Sequence, residues 1–249
     1  MTTHALTAAA VGLAIALGSG PATAAEITSL VSNAFKTSFP DLAPLFEKAS
    51  EHRLKTAFGS TDPLKVRIEK GEPIDLAIIG EGAIDELIKQ GKLVAATRVV
   101  VARSGLGVAV RKGAPKPDLS TTEAFKRAIV NAKTIGFNER GLTGIYLWGL
   151  FDRLGLTAVV KAKFKDGSGA TMAGTGATEI GLTQASEVGL VPEAELAGRL
   201  PAEIQHFTAF PAAISANAKA PDGARALLQF LASPDALRVM RAKGLEPPA

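Results

Sequence analysis

Between Thr97 and Leu156 the chain alternates strand-like apolar runs with helix-patterned segments, and this alternation narrows the possible folds more than any other feature. Leu106–Arg111 reads as a strand; Gly105 and Gly107 argue against helix there. A Gly113-Ala114-Pro115-Lys116-Pro117-Asp118 turn follows, then a helix over Thr121–Asn131 capped by Ser120 or Thr121. Thr134–Phe137 repeats the strand, and Leu142–Leu154 the helix. Alternating β and α elements call for largely parallel sheets covered by helices.

The same rhythm extends in both directions. Upstream, Glu26–Ser32 and Leu54–Phe58 read as strands, with a helix from about Lys36 to Ser50 between them. Thr61 or Asp62 is placed to cap a helix over Pro63–Lys70, with proline at its first position. Asp75–Ile79 is a continuous apolar run with an acidic start, as in a buried parallel strand, and Gly82–Gln90 a helix stopped by Gly91. Downstream, Val159–Phe164 is expected as a strand, Ala170–Gly174 as a short helix and Ile180–Thr183 as a strand. Two helices follow, begun by Pro221 and Pro234, with Ser233 as a cap. Val99–Ser104 and Glu203–Pro211 are the two stretches able to carry the chain between lobes. That gives one lobe of residues 26–100 plus 210–249 and a second of 101–209.

The first 25 residues are set apart from the fold. Leu6–Leu17 is apolar but too short to span a bilayer, and Pro21-Ala22-Thr23-Ala24-Ala25 precedes Glu26 as an A-x-A cleavage site would. Residues 1–25 therefore read as a secretory signal cut after Ala24 or Ala25, although its start carries only His4 and no Lys or Arg. The absence of cysteine suits an exported chain that needs no oxidative folding. The expected location is a bacterial periplasm.

The net charge of +4 is spread along the chain, without a basic block or aromatic interleaving. This argues against a nucleic-acid partner and leaves a modest field that would help collect a small anion.

Four loops precede helices and together outline an anion site: Ser32–Lys36, Gly59–Asp62, Asn138–Gly144 and Asp166–Thr171. Each offers free N–H groups at the positive end of a helix, and their glycines and hydroxyls let a ligand approach the backbone. Open α/β sheets bind ligands beyond the carboxyl ends of their strands, where such loops lie. The candidate ligand-binding residues are Asn33, Ala34, Lys36, Ser60, Thr61, Arg140, Thr143, Ser168, Ala170 and Thr171. Gln184 joins them because it ends a strand facing the same side. Lys36 and Arg140 are the cations able to neutralise a carboxylate or oxyanion. Asp75 is expected to anchor the preceding Gly71-Glu72-Pro73 turn.

Little supports an enzyme of a familiar type. There is no HExxH, no nucleophile elbow and no metal-ligand spacing, and Gly167-Ser168-Gly169 lacks the lysine of a phosphate-binding P-loop. No cofactor is expected. A proton-transfer enzyme on the same scaffold would need a base, for which Lys36, Glu139 and His206 are the candidates.

Four motifs carry a family resemblance: Gly71-Glu72-Pro73-Ile74-Asp75-Leu76, Val110-Arg111-Lys112-Gly113-Ala114-Pro115, Gly144-Ile145-Tyr146 and Leu154-Gly155. With them the chain, from about Ile27 to Gly244, resembles the molybdate-binding family of periplasmic solute-binding proteins, which serve ATP-driven (ABC) importers. The resemblance implies two α/β lobes that close over the ligand, a membrane permease as partner, and a monomer. It also implies a tetrahedral oxyanion held by hydroxyls and backbone N–H groups.

Residue by residue, Ala34 stands where the family has its first serine, and Thr61 stands for its second. Thr143 replaces the alanine before Gly-Ile-Tyr. Gln184 replaces a tyrosine, and the fourth loop matches near Ala170 and Thr171. These exchanges, with Lys36 and Arg140 near the site, suit a larger or more charged anion such as a small carboxylate. The alternative is an isomerase of a small polycarboxylate, of the aconitate isomerase type. A sensory lobe resembling the effector domain of LysR-type regulators is disfavoured by the signal and by the lack of a DNA-binding domain.

Overall fold

The structure, a computed structural model, describes residues 24–248, so the expected signal lies outside the described residues. Strand β1 (Glu26–Ser32) is followed by a 3-10 turn (Asn33–Phe35), α1 (Phe39–Ser50), β2 (Arg53–Gly59), α2 (Thr61–Glu69), β3 (Leu76–Ile78) and α3 (Glu81–Lys89). β1 pairs in parallel with both β2 and β3. Next comes β4 (Val99–Arg111), thirteen residues without a break.

The other half holds α4 (Thr122–Asn131), β5 (Ile135–Phe137), α5 (Leu142–Arg153), α6 (Thr157–Lys161), β6 (Phe164–Asp166), α7 (Gly169–Thr175), β7 (Ile180–Gln184), α8 (Ala185–Val188) and β8 (Ala194–Arg199). β5 runs parallel to β6 and β7. The chain returns through β9 (Phe207–Ile214) and closes with α9 (Pro221–Leu231) and α10 (Pro234–Ala242).

The strand order is β2-β1-β3-β9-β4-β7-β5-β6, with β8 also paired to β4. The sheet is mixed, because the strands that join the halves run antiparallel to their neighbours. The Val99–Gly105 end of β4 pairs with β9, and Leu106–Arg111 pairs with β7 and β8. One strand thus belongs to both halves, and the two stretches expected to carry the chain between lobes, Val99–Ser104 and Glu203–Pro211, lie on β4 and lead into β9.

The cores follow the same division. Ile27, Val31, Phe35, Leu42, Phe46, Phe210, Leu227 and Met240 share one buried cluster, so α9 and α10 pack on the β1 half. Phe125, Ile129, Ile135, Phe137, Leu147, Phe151 and Leu182 form the cluster of the β5 half. Burial of aliphatic and aromatic side chains on this scale, at about 25 cal/mol per Å² of apolar surface, is the main term holding each half together. Ser104 Oγ and Ser186 Oγ meet at 3.0 Å in the buried seam, and Glu246 pairs with Arg103 at 3.4 Å and Arg199 at 2.8 Å.

Several local expectations change. Val159–Phe164 is not a strand: Gly155 turns the chain at φ +69°, α6 follows, and β6 begins only at Phe164. Leu156 and Val160, four apart, are both buried in the β5-half cluster, and that helical spacing overrides the β-branched run. α1 starts at Phe39 rather than near Lys36, with Pro40 in its first turn. α2 starts at Thr61 with Ser60 in the cap position, so Thr61 is the first helical residue and Pro63 the third. Asp75 does not anchor its own turn. Its buried carboxylate accepts the N–H groups of Thr28 (2.8 Å), Lys219 (2.7 Å) and Ala220 (2.8 Å), tying β1 to the start of α9. β8 and α8 were not anticipated. The caps expected at Thr121 and Ser233 form, accepting from Ala124 N–H at 3.1 Å and Ala236 N–H at 3.3 Å.

Candidate functional site

The carboxyl ends of β1, β2, β5 and β7 open onto a cleft of about 500 Å³ between the two halves. On the β1 side it is lined by Ser32, Asn33, Ser60, Thr61, Asp62 and Pro63. Across from these stand Asn138, Arg140 to Thr143, Ser168, Gly169, Thr171 and the end of β7 with Glu187. Phe210 of β9 also reaches it.

Three hydroxyls share one arrangement. Ser32 Oγ accepts the N–H of Ala34 (3.3 Å), Thr61 Oγ1 that of Gly80 (3.1 Å), and Ser168 Oγ that of Thr171 (3.4 Å). Ser168 Oγ also accepts from Thr171 Oγ1 at 3.1 Å. A hydroxyl that accepts from the backbone still has its own proton to give. Each of these groups is therefore held as an outward donor, which is what an anion requires. Thr143 makes no side-chain hydrogen bond among the described residues, so its hydroxyl turns freely.

Backbone packing fixes the loops. Asn138 Oδ1 accepts the N–H groups of Arg140 (3.2 Å) and Gly141 (3.1 Å), folding the third loop onto the start of α5. A side chain at Gly144 would overlap the carbonyl oxygens of Asn138 and Glu139, so only glycine admits this loop. A carbon added at Gly181 would likewise collide with the backbone of Gly169, which seats the fourth loop against β7.

The charges are few. Arg140 is exposed and forms no ion pair among the described residues, so it faces the cleft as an uncompensated cation. Asp62 lies on the opposite side. Glu187 lines the cleft with its Oε2 3.0 Å from Thr183 Oγ1; burial pushes its carboxyl above the usual range, and the Thr183 hydrogen bond offsets this only in part. Gln184 is buried, and its amide oxygen has no partner.

Of the residues singled out from sequence, Asn33, Ser60, Thr61, Arg140, Thr143, Ser168, Thr171 and Gln184 come together around the cleft. Ala34, Lys36 and Ala170 are not among its lining residues. Ala34 and Ala170 are buried with their side chains in the interior, and Lys36 is exposed at the end of the first loop. The three bases considered for an enzyme, Lys36, Glu139 and His206, do not line it either. His206 instead stacks on Tyr146 with ring centroids 4.4 Å apart, and burial lowers its imidazole. Glu187 escaped notice because it follows the strand end on a four-residue helix. The available signal was a carboxylate three positions after Gln184, on the chain leaving the cleft.

Among the described residues no cluster of His, Cys, Asp and Glu is able to hold a metal ion, and no helix is long and apolar enough to cross a membrane.

Two α/β halves joined by shared strands, with hydroxyl-lined loops facing a common cleft, are the construction of a two-lobed binding protein. The profile of one family, described as bacterial extracellular solute-binding protein, matches residues 27–246, and the chain belongs to that family. It is 33% identical to an aconitate isomerase of a Pseudomonas species over 248 residues, 94% of each chain. It is 28% identical to the molybdate-binding protein ModA of Azotobacter vinelandii over 249 residues, 93% of this chain and 96% of the other. The solved periplasmic molybdate-binding protein of the same organism superposes with a TM-score of 0.73 at 19% identity, over 90% of this chain and 100% of that one.

Proposed function

We propose that the protein is a periplasmic solute-binding protein of an ABC importer, and that its cleft closes over a small polyanion, a carboxylate in preference to a tetrahedral oxyanion. The reading rests on one observation above the rest: three cleft hydroxyls are held as outward donors while Arg140 stands unpaired beside them. Hydroxyl donors beside a free cation form a site for negative charge. The carboxylate preference rests on Gln184 standing where the molybdate-binding family has a tyrosine, and on a cleft of about 500 Å³. Residues 26–100 with 210–249 would form one lobe and 101–209 the other, hinged along β4 and β9, after removal of residues 1–25. Closure would be a shift of population toward the closed form. The working form would be a monomer that hands its ligand to a membrane permease.

A second reading, isomerisation of a small unsaturated polycarboxylate, is favoured by the match along 94% of the chain to an aconitate isomerase. Both are tested by a thermal-shift screen of the mature chain with molybdate, tungstate, sulfate, phosphate and di- and tricarboxylates, followed by proton NMR of any carboxylate that binds. At a hundred times its dissociation constant a ligand adds about 2.7 kcal/mol. A shift with carboxylates supports the preferred ligand class, and turnover in the NMR tube would move the protein from transport to catalysis. A shift with molybdate and tungstate alone would overturn the carboxylate preference.

A further inference from the structure

One corner of the cleft has chemistry that an anion cradle does not need. β7 is buried along its whole length and ends in Thr183 and Gln184, where the chain turns directly into α8. Glu187 returns its carboxyl to Thr183 Oγ1 at 3.0 Å. Gln184 is only 6% exposed, lines the cleft, and keeps an amide oxygen buried with no donor. Leaving such an acceptor unpaired costs on the order of 1–3 kcal/mol, so this atom marks a place where a ligand supplies a donor. A fully ionised oxyanion has none to supply.

Glu187 lines the same cleft and forms no ion pair among the described residues. The elements packed on α8 carry Arg103 and Arg111 on β4, Glu195 and Arg199 on β8, and Lys36 at the end of the 3-10 turn; β7 contributes no charge. Arg103 and Arg199 are paired with Glu246, and Glu195 with Lys116. Neither Arg111 nor Lys36 forms an ion pair with Glu187. The remaining charges around the cleft are Arg140 and Asp62, on its other loops. Burial without a counter-charge raises the hold of the Glu187 carboxyl on a proton, and bringing an anion beside it raises that hold further.

We propose that Glu187 and Gln184 form a carboxyl-reading corner in which one proton is held between Glu187 and the ligand, so that the cleft takes up a polycarboxylate together with a proton. That one proton joins Glu187 to a ligand carboxylate, and the Gln184 oxygen accepts from a hydroxyl where the ligand carries one. Chemical class is thereby read at one end of the cleft, while the hydroxyl loops and Arg140 hold the remaining charge. This inference rests on the anion-cleft reading and deepens it.

Calorimetric titration with trans-aconitate and with molybdate, between pH 6 and 8 and in buffers of different ionisation enthalpy, counts the protons taken up. The wild type is expected to take up as much as one proton with aconitate at the pH values where the free Glu187 is ionised. Its affinity should fall by up to about tenfold per pH unit once the free Glu187 is ionised. Glu187→Gln is expected to flatten that profile and abolish the uptake. The comparison also removes His206 from consideration, because its imidazole is unchanged in the variant. Aconitate binding by the wild type without proton uptake, or uptake that persists in Glu187→Gln, overturns the proposal and leaves the anion cleft standing. Failure of every anion to bind the wild type overturns both.

Discussion

On the β1 side of the cleft, Ser32 and Thr61 present hydroxyls already engaged by backbone N–H groups, and among the described residues lining that side Asp62 alone is charged. Across the space the loops repeat the hydroxyl arrangement in Ser168, and add Arg140, Gln184 and Glu187. The first side sits at the ends of parallel strands packed to nearly zero exposure: Leu30, Val31, Leu76 and Ile78 are each at most 1% accessible. The second rides on β5, β6 and β7, of which β5 and β7 are buried along their length, and on loops seated by glycine contacts. The contrast teaches a division of labour. One wall supplies donors that any small anion uses, and the other carries the groups that tell one anion from another. Specificity in such a site changes by exchange of a few side chains on the second wall, with no change of fold.

The sharpest way to break the comparison is to remove the loop that carries Arg140 and Thr143. Gly144→Ala places a methyl group against the carbonyl oxygens of Asn138 and Glu139. Backbone atoms cannot yield as a flexible side chain does, so the loop must lift from α5, at a cost of about 1–3 kcal/mol or more. Anion affinity is expected to fall by well over tenfold and the melting temperature to drop. Gly149→Ala on the same helix, where the nearest atom would be Arg153 Nη1 at 3.5 Å, should leave both almost unchanged. Denaturation and titration of the pair measure this. Equal behaviour of the two variants would mean that the loop is not seated by its backbone packing.

How much of this was legible in the chain differs between the walls. On the first wall the strands were legible from local signals, a buried apolar run and a proline in the following turn, but Ala34 and Lys36 were singled out where Ser32 lines the cleft. Thr61 was also given the wrong task. Its hydroxyl serves Gly80, nineteen residues away, and a contact of that range has no sequence signature. On the second wall Arg140, Thr143, Ser168 and Thr171 were visible as loop residues before helices. The segment from Leu156 to Phe164 was misread because β-branched residues weigh toward strand, whereas burial of Leu156 and Val160 at helical spacing decided the outcome. Asp75 was recognised as an anchor, but its partners lie on β1 and at the start of α9, which only the folded topology brings together. Glu187 was missed because nothing in the sequence distinguishes a buried carboxyl from a solvated one when no partner lies nearby in the chain.

An intermediate effect is expected from two threonine-to-valine exchanges that separate the walls. Thr61→Val removes both a ligand donor and the acceptor of the Gly80 N–H. It should weaken the anion about tenfold and also cost on the order of 1–3 kcal/mol of stability, because a partly buried N–H loses its partner. Thr143→Val removes a hydroxyl with no partner within the protein, so affinity should fall while the melting temperature of the free protein stays level. Titration alongside thermal melting of the two variants resolves them. A stability loss in Thr143→Val, or none in Thr61→Val, would reverse the assignment of the structured wall and the free one.

The smallest effect concerns the cations. Arg140 lines the cleft and Lys36 does not, although both were singled out for the same reason. Arg140 is exposed, so its attraction for an anion is screened by water and salt and is worth about 0.5–1 kcal/mol, as for other surface pairs. Arg140→Gln is therefore expected to weaken binding by roughly three- to fivefold at low ionic strength, with the difference shrinking as salt approaches about 1 M, where the screening length falls to about 3 Å. Lys36→Gln should change affinity by less than twofold at any ionic strength. A salt titration of both variants against the wild type decides the matter, since only a charge that faces the ligand gives a difference that salt erases. Equal losses from the two variants would show that the protein gathers its anion through a diffuse field, and the second wall would then owe its selectivity to Gln184 and Glu187 rather than to Arg140.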